Sequence, residues 1–392
     1  MPSMTLAPLP SFRELWHAMK KPALSNEMLA KTWCRLGERG FWFSRSAWSL
    51  QVIAEWRACN SRKRINTIWL PDYFCNASLA PLRERNDRLV FYPTTNEMAP
   101  DMEWCYAHVL NDKPDIFLLV HYFGQPSSAI LVSELCRGND TLLIEDAAHV
   151  LVPIPGIGEN GDFVLYSPHK HFAIMDGALI VVRENGPSML GKNPIALAEI
   201  QRLSAKFIMH SSISSWSTII WVIKRVLQRL GVRGRKNKVP FWPDLDYDAQ
   251  YFAHKKMSSL AKRLLSYQCK ELKKIAQLRQ NNYENWRNGL CKTSTGIKSI
   301  QSLPICETPY MAIFRVDDSE KASFYYDKLK FNKLPITTWP DLPPEVLSNP
   351  GQYTNAIWNR KTRLFFPVHH TIKQNMISKV CENLKKNINV PN

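Results

Sequence analysis

Leu142 to Val182 reads LLIEDAAHVLVPIPGIGENGDFVLYSPHKHFAIMDGALIVV. Two short apolar runs in it stop at polar residues. Leu142-Leu143-Ile144 runs into Glu145-Asp146, and Phe163 to Tyr166 runs into Ser167-Pro168-His169-Lys170. After the turn Asp176-Gly177-Ala178 a third run follows, Leu179 to Val182. Short β-rich runs ending in ionisable residues are expected of buried strands that deliver side chains to the carboxyl edge of a sheet, where α/β proteins bind ligands. The delivered set is a carboxylate, an imidazole and a lysine beside a serine. It suits a site that holds a cationic ring and an imine.

Working outward, Phe41-Trp42-Phe43 leads into Ser44-Arg45-Ser46 and then a helical pattern from Ala47 to Cys59. A strand running into Ser-x-Ser at a helix start resembles an anion site, although serine is also a common N-cap. Further strand-like runs end at Pro71-Asp72-Tyr73-Phe74-Cys75-Asn76 and at His121-Tyr122-Phe123-Gly124, and Leu89 to Tyr92 is another. Helical patterns separate these runs, so residues 41–185 alternate as a mostly parallel α/β sheet does. No Gly-x-Gly-x-x-Gly or Walker-type loop supports a dinucleotide or ATP fold.

Residues 1–200 are expected to form a large domain with a helical N-terminal start, residues 201–290 a helical and strongly basic connecting region, and residues 291–392 a small α+β domain. Met311 to Val316 and Leu364 to Val368 are the strands expected in the small domain. The net charge is +17. Residues 201–300 hold 20 Lys/Arg against 5 Asp/Glu, and no acidic residue lies between Glu199 and Asp244. A field so local attracts phosphates, an anionic membrane surface or nucleic acid. Ile213, Trp216, Ile220, Ile223, Leu227 and Leu230 share one helical face, followed by the basic tail Arg233, Arg235, Lys236 and Lys238. Such a helix packs its apolar stripe on the large domain or a partner, or lies on an anionic membrane. Nine cysteines without a Cys-x-x-Cys pair argue against a disulfide framework and a structural zinc site, so no metal is expected. With no secretory signal and no apolar run near 18 residues, the expected location is the cytoplasm, with peripheral contact at the inner face of the membrane as an option.

A lysine just past an apolar strand has its pKa lowered by burial and forms an imine with an aldehyde cofactor. For Lys170, with Asp146 on a neighbouring strand end to keep a pyridinium protonated, the combination favours pyridoxal 5′-phosphate (PLP). His149 is placed for the ring oxygen and Ser167 for the phosphate. Ile-Glu-Asp-Ala-Ala-His (144–149), Gly-Asp-Phe (161–163), Ser-x-x-Lys (167–170) and Asp-Gly-Ala (176–178) together resemble the DegT/StrS group of PLP-dependent sugar aminotransferases. Arg279-Gln280-Asn281-Asn282-Tyr283 and Phe366-Pro367-Val368-His369 extend the likeness along the chain.

The resemblance implies fold type I, with a mostly parallel seven-stranded sheet and a small C-terminal domain, and a homodimer. It implies transfer of an amino group from an amino acid, glutamate foremost, to a keto sugar, nucleotide-linked, in surface polysaccharide or glycolipid synthesis. Lys170 is then the catalytic lysine, Asp146 and His149 hold the ring, and Ser46, Arg45 and Ser167 the phosphate. Arg45 replaces the family's glycine, and Ala178 its second turn glycine. Cys75 aligns with the stacking aromatic, leaving Tyr73 or Phe74 as candidates for that role. His254 is the nearest match to a partner-subunit asparagine that reaches the phosphate. Relatives that dehydrate sugars carry histidine in place of the lysine. A PLP-dependent dehydratase or lyase, and a catalytically altered membrane-surface protein, are the alternatives.

Overall fold

The computed structural model describes residues 4–209, 211, 214–232, 241–242, 254–290, 297–300, 307–331 and 334–387. Its larger sheet has seven strands in the order β1-β7-β6-β5-β4-β2-β3. They are β1 (Arg39–Phe43), β2 (Thr67–Pro71), β3 (Arg88–Tyr92), β4 (Ile116–Val120), β5 (Leu142–Ala147), β6 (Phe163–Tyr166) and β7 (Ala178–Val182). Strands β3, β2, β4, β5 and β6 run parallel, while β7 is antiparallel to both β6 and β1. Every residue of β4, β5, β6 and β7 is buried. Sheets covered on both faces need such continuous apolar runs rather than alternation. Within β6, Phe163 and Leu165 face one core, while Val164 and Tyr166 face the other.

The helices of the large domain are α1 (Phe12–Lys20), α2 (Asn26–Ala30), α3 (Ser46–Asn60), α4 (Ala80–Glu84), α5 (Met102–Val109) and α6 (Ala129–Gly138). Helix α1 starts at a capping box in which Ser11 and Glu14 bond each other's backbone N–H. Residues of α3 fill the core on one face, and those of α2 the core on the other. Then come α7 (Pro194–Met209), α8 (Ser215–Arg229), α9 (Ser259–Gln268) and α10 (Leu272–Leu290). The small domain adds β8 (Ile297–Ser299), β9 (Met311–Val316), α11 (Ser319–Phe331), α12 (Pro344–Leu347), α13 (Thr354–Thr362), β10 (Arg363–Pro367) and α14 (Gln374–Asn387). Its antiparallel sheet, β10-β9-β8, includes one strand, β8, that the sequence patterns do not reveal.

Helix α8 does not pack its apolar stripe on the large domain. No residue of it is buried, and it rests on the body through the half-buried Trp221, Val222 and Val226. Arg225 sits over the Trp221 ring at 5.4 Å, and Arg229 donates to the Leu9 carbonyl. The apolar stripe therefore faces outward, with Trp216, Ile219, Ile220, Ile223, Leu227 and Leu230 all exposed. Periodicity shows that these residues share a face; it does not say which way the face points. Ile213 and the basic tail 233–238 lie outside the described residues. Among the described residues no helix is long and apolar enough to cross a membrane, and no cluster of His, Cys, Asp and Glu could hold a metal ion.

Candidate active site

Sheet register brings the functional segments to one edge. Val120 at the end of β4 lies opposite Asp146 in β5, and Ala147 opposite Tyr166 at the end of β6. Because β1 and β7 pair antiparallel, Phe43 lies opposite Ala178, so Ser44 to Ser46 leave the sheet beside the start of β7. A cavity of about 450 Å³ opens there, in the range of small-molecule sites. Its wall includes Arg45, Ser46, Phe74, Cys75, Asp146, His149, His169 and Lys170 from the large domain. Tyr310, Thr337, Thr338, Trp339 and Phe365 close it from the C-terminal part of the chain.

Lys170 ends a single helical turn after β6, and its ammonium stands 5.8 Å from the centre of the Tyr310 ring. Burial lowers its pKa, opposed chiefly by Asp146, with Arg45 adding to the lowering. A lysine so placed has more of its amine unprotonated at neutral pH, and so available as nucleophile and base, than one in water. Asp146 accepts the Ala148 N–H at 2.9 Å. Burial raises its pKa, opposed by Lys170. A cationic ring nitrogen beside it would favour the carboxylate form.

His149 is held flat between two rings, 4.5 Å from Tyr310 at an interplanar angle of 4° and 5.5 Å from Phe123 at 2°. Its Nδ1 accepts the Phe123 N–H at 3.1 Å, which leaves Nε2–H as the donor. Burial, with Lys170 and His171 nearby, pushes its pKa well below the usual histidine range, so the ring is neutral. Phe123 adopts φ 59°, a left-handed conformation that phenylalanine rarely takes, in order to make this contact.

The Ser46 and Ser167 hydroxyls lie 2.6 Å apart at the N-terminus of α3, where no side chain caps the helix. Two hydroxyls, uncapped N–H groups and the positive helix end suit a phosphate. Arg45 lines the same corner and donates to the Ser44 and Met175 carbonyls at 2.9 Å each. Its φ of −144° is extended backbone open to any residue, so the arginine stands without strain where the family carries glycine. Gly177, at φ +139°, does need glycine; a Cβ there would lie 2.9 Å from the Met257 methyl.

The candidates for the stacking aromatic separate. Phe74 and Cys75 line the cavity, whereas Tyr73 is fully buried behind it, stacked on Trp339 at 4.6 Å. Burial and Asp341 push the Cys75 thiol up to about 12, so it is protonated and no nucleophile. His254 is not in the cavity wall. Its Nε2 meets Asp176 at 3.2 Å, and its carbonyl accepts the Ser44 hydroxyl. Tyr310, Trp339 and the Thr337-Thr338 pair form much of the wall without a sequence signal of their own; only the expectation of a closing small domain points to them.

Glu145, next to Asp146 but on the other face of β5, organises the edge without touching the cavity. It accepts His121 Nε2 and the N–H groups of Gly158, Asn160 and Gly161, all between 2.6 and 2.8 Å. Arg279 of α10 is a second brace, donating to the carbonyls of Pro309, Tyr310 and His171.

No protein-family model matches the chain. Solved structures do. The aminotransferase TlmJ from Streptoalloteichus hindustanus superposes with a TM-score of 0.69 at 15% identity over 98% of each chain. The putative sugar aminotransferase Spr1654 from Streptococcus pneumoniae, in its PLP form, gives 0.71 at 12% over 98% of each. PseC from Helicobacter pylori, an aminotransferase involved in pseudoaminic acid biosynthesis, gives 0.69 at 11% over 98% of this chain and 99% of its own. The chain thus has the fold of the PLP-dependent type I aminotransferases, in the form that sugar aminotransferases share.

Proposed function

We propose that this chain is a PLP-dependent aminotransferase moving an amino group from an amino acid, glutamate foremost, to a nucleotide-linked keto sugar used in surface polysaccharide or glycolipid synthesis. The observation that carries the reading is the convergence of Lys170, Asp146, His149 and Ser46 on one cavity, with the buried Ser167 hydroxyl bonded to that of Ser46. These residues fit the cofactor: a hydroxyl pair at a helix start for the phosphate, a buried carboxylate for the ring nitrogen, and a neutral imidazole donor for the ring oxygen.

When bound, PLP supplies an electron sink for the bonds at the amino donor's Cα. Lys170 would hold the cofactor aldehyde and would serve as general base and acid for the proton on the donor's Cα. Lowering of its pKa by burial fits that role. Asp146 would keep the ring nitrogen protonated, and His149 Nε2–H would donate to the ring oxygen, its other nitrogen being fixed by the Phe123 N–H. Ser46, Ser167 and the α3 N-terminus hold the phosphate, with Arg45 adding positive charge. Phe74, Cys75 and the Trp339 loop exclude water.

Purified protein is expected to carry an absorbance band near the visible that shifts on adding glutamate and is lost in Lys170→Ala. Protein that takes up no PLP sinks the reading. A sugar dehydratase or lyase on the same fold is the rival. It is favoured only if glutamate leaves the band unchanged while a keto-sugar precursor loses water.

The assembly belongs to the same proposal: a homodimer, as the resemblance implies, checked by light scattering on the eluting protein. The outward stripe of α8 supports peripheral contact with an anionic bilayer. A second copy of the chain fits this face less well, because a two-fold contact sets a surface against itself and would bring two Lys224 and two basic segments together. An anionic bilayer instead complements the 20 Lys/Arg and 5 Asp/Glu of residues 201–300. Flotation with anionic vesicles, none with zwitterionic ones, and loss of binding in Ile220→Glu are expected. Equal behaviour on both vesicle types removes the membrane from the proposal.

A further inference from the structure

A second cavity, of about 570 Å³, lies between the large domain and the small sheet. Val120 lines both cavities, and Phe123, whose ring packs on His149, lines the second. Three independent features of this second cavity point to an anion.

The first is Arg363, at the start of β10. It is only 3% exposed, yet its Nε has no hydrogen-bond acceptor, and the acceptor its Nη1 meets is the Met98 thioether. The ionisable groups that act on it are Tyr73, Arg315 and Tyr122; among the described residues no carboxylate pairs with it. A buried guanidinium left without a counter-charge is strongly destabilising, and a bound anion removes that cost. The second is Ser127, whose hydroxyl is buried without a partner while its N–H is committed to His121 Nδ1. The third is α6. Ser127 and Ser128 immediately precede it and line the cavity, and the helix has neither a side-chain cap nor an acidic residue in its first turn. An uncapped helix start offers N–H groups and partial positive charge.

The rim adds net positive charge. Lys298 and Arg315 share one carboxylate, Asp317, at 2.5 and 2.7 Å, and the exposed Glu97 contributes the other acid. Two cations around one carboxylate, with Arg363 behind them, outweigh Glu97.

We propose that this second cavity is an oxyanion site, in which Arg363, Ser127 and the N-terminus of α6 bind the carboxylate or phosphate group of a small ligand. The site stands apart from the PLP pocket and does not depend on the chemistry assigned there. Phe123 is the partition between the two, so an occupant contacts the ring that positions His149.

The test is calorimetric titration of the protein with inorganic phosphate and, separately, with glutarate, against chloride at matched ionic strength. Protein loaded with PLP is used, so that Ser46 and Ser167 do not bind the phosphate. If the chain takes up no PLP, a Ser46→Ala background serves the same purpose, and failure of the aminotransferase reading stays distinguishable from failure of this one. Arg363→Met is expected to lose affinity by about tenfold or more, the scale of one charge-assisted bond, and Ser127→Ala by roughly threefold. Tighter binding of glutarate identifies a carboxylate ligand, and tighter binding of phosphate a phosphorylated one; either supports the site. Arg363→Met should also melt no lower than wild type in anion-free buffer, because it removes an unpaired buried charge. If it fails to fold, Ser127→Ala carries the comparison. Equal affinity in wild type and both variants, or no binding beyond chloride, overturns the proposal.

Discussion

Replacing Glu145 by glutamine tests whether the sheet edge that carries Asp146 is organised by a buried carboxylate. Each oxygen of Glu145 accepts two donors: Oε2 from His121 and Gly158, Oε1 from Asn160 and Gly161. A glutamine keeps one such oxygen and turns an NH₂ towards the other two donors. Two buried donors are left unsatisfied at about 1–3 kcal/mol each, or about 2–6 kcal/mol together. For 392 residues, an unfolding entropy of about 2.1 cal/mol/K per residue converts this to a Tm lower by roughly 2–7 °C. Thermal unfolding followed by circular dichroism at pH 7 reads the difference. The pH dependence supplies an independent arm. Burial raises the Glu145 pKa, but the bonds from His121 and the loop outweigh it and leave the value below the ordinary glutamate range. A lowered carboxyl pKa contributes stability above the unfolded value and loses it as the pH falls through the folded one. The gap between wild type and Glu145→Gln should therefore be full at neutral pH and close on acidification. A loss below about 1 kcal/mol at pH 7, or a gap that widens towards acid, refutes the reasoning.

Asp72 should behave in the opposite sense. Burial raises its carboxyl to about 6 despite bonds from Thr94. Stability should thus fall as pH rises from the ordinary carboxyl range to about 6, and Asp72→Asn, read by urea unfolding at several pH values, should remove that fall. His149→Ala deletes the donor to the ring oxygen and should weaken PLP retention by about tenfold, the worth of one good hydrogen bond, measured by equilibrium dialysis. Gly177→Ala places a Cβ against Met257 at a positive φ and should cost about 1–3 kcal/mol, visible as a lower urea midpoint.

The strand ends 142–147, 163–166 and 178–182 are legible in the sequence because a strand buried on both faces must be an unbroken apolar run. An ionisable residue in it can sit only where the sheet stops. Lys170, Asp146 and His149 could be placed for that reason, and Ser46 from the helix start that follows β1 and from the family resemblance; the structure brings the four to one cavity. Residues set by tertiary contact are another matter. Tyr310 and Trp339 arrive from more than a hundred residues away, with nothing local to mark them. Tyr73 and Phe74 are neighbours of equal character, and only the direction in which the chain leaves β2 sends one inward and the other to the cavity. The α8 stripe shows the limit most plainly: a helical period reveals which residues share a face, and here a second face, with Trp221, Val222 and Val226, is the one that meets the protein.

Arg279 has a mechanical consequence. Its guanidinium ties the carbonyl of His171, next to the catalytic lysine candidate, to those of Pro309 and Tyr310, which lead into β9. Parting the two at that corner breaks either the Arg279 bond to the His171 carbonyl or the pair to Pro309 and Tyr310. The opposite side, where Phe74, Cys75 and the Thr337–Pro340 loop meet, is held as well: the Ala77 N–H donates to Asp341 at 3.0 Å, and Tyr73 stacks on Trp339.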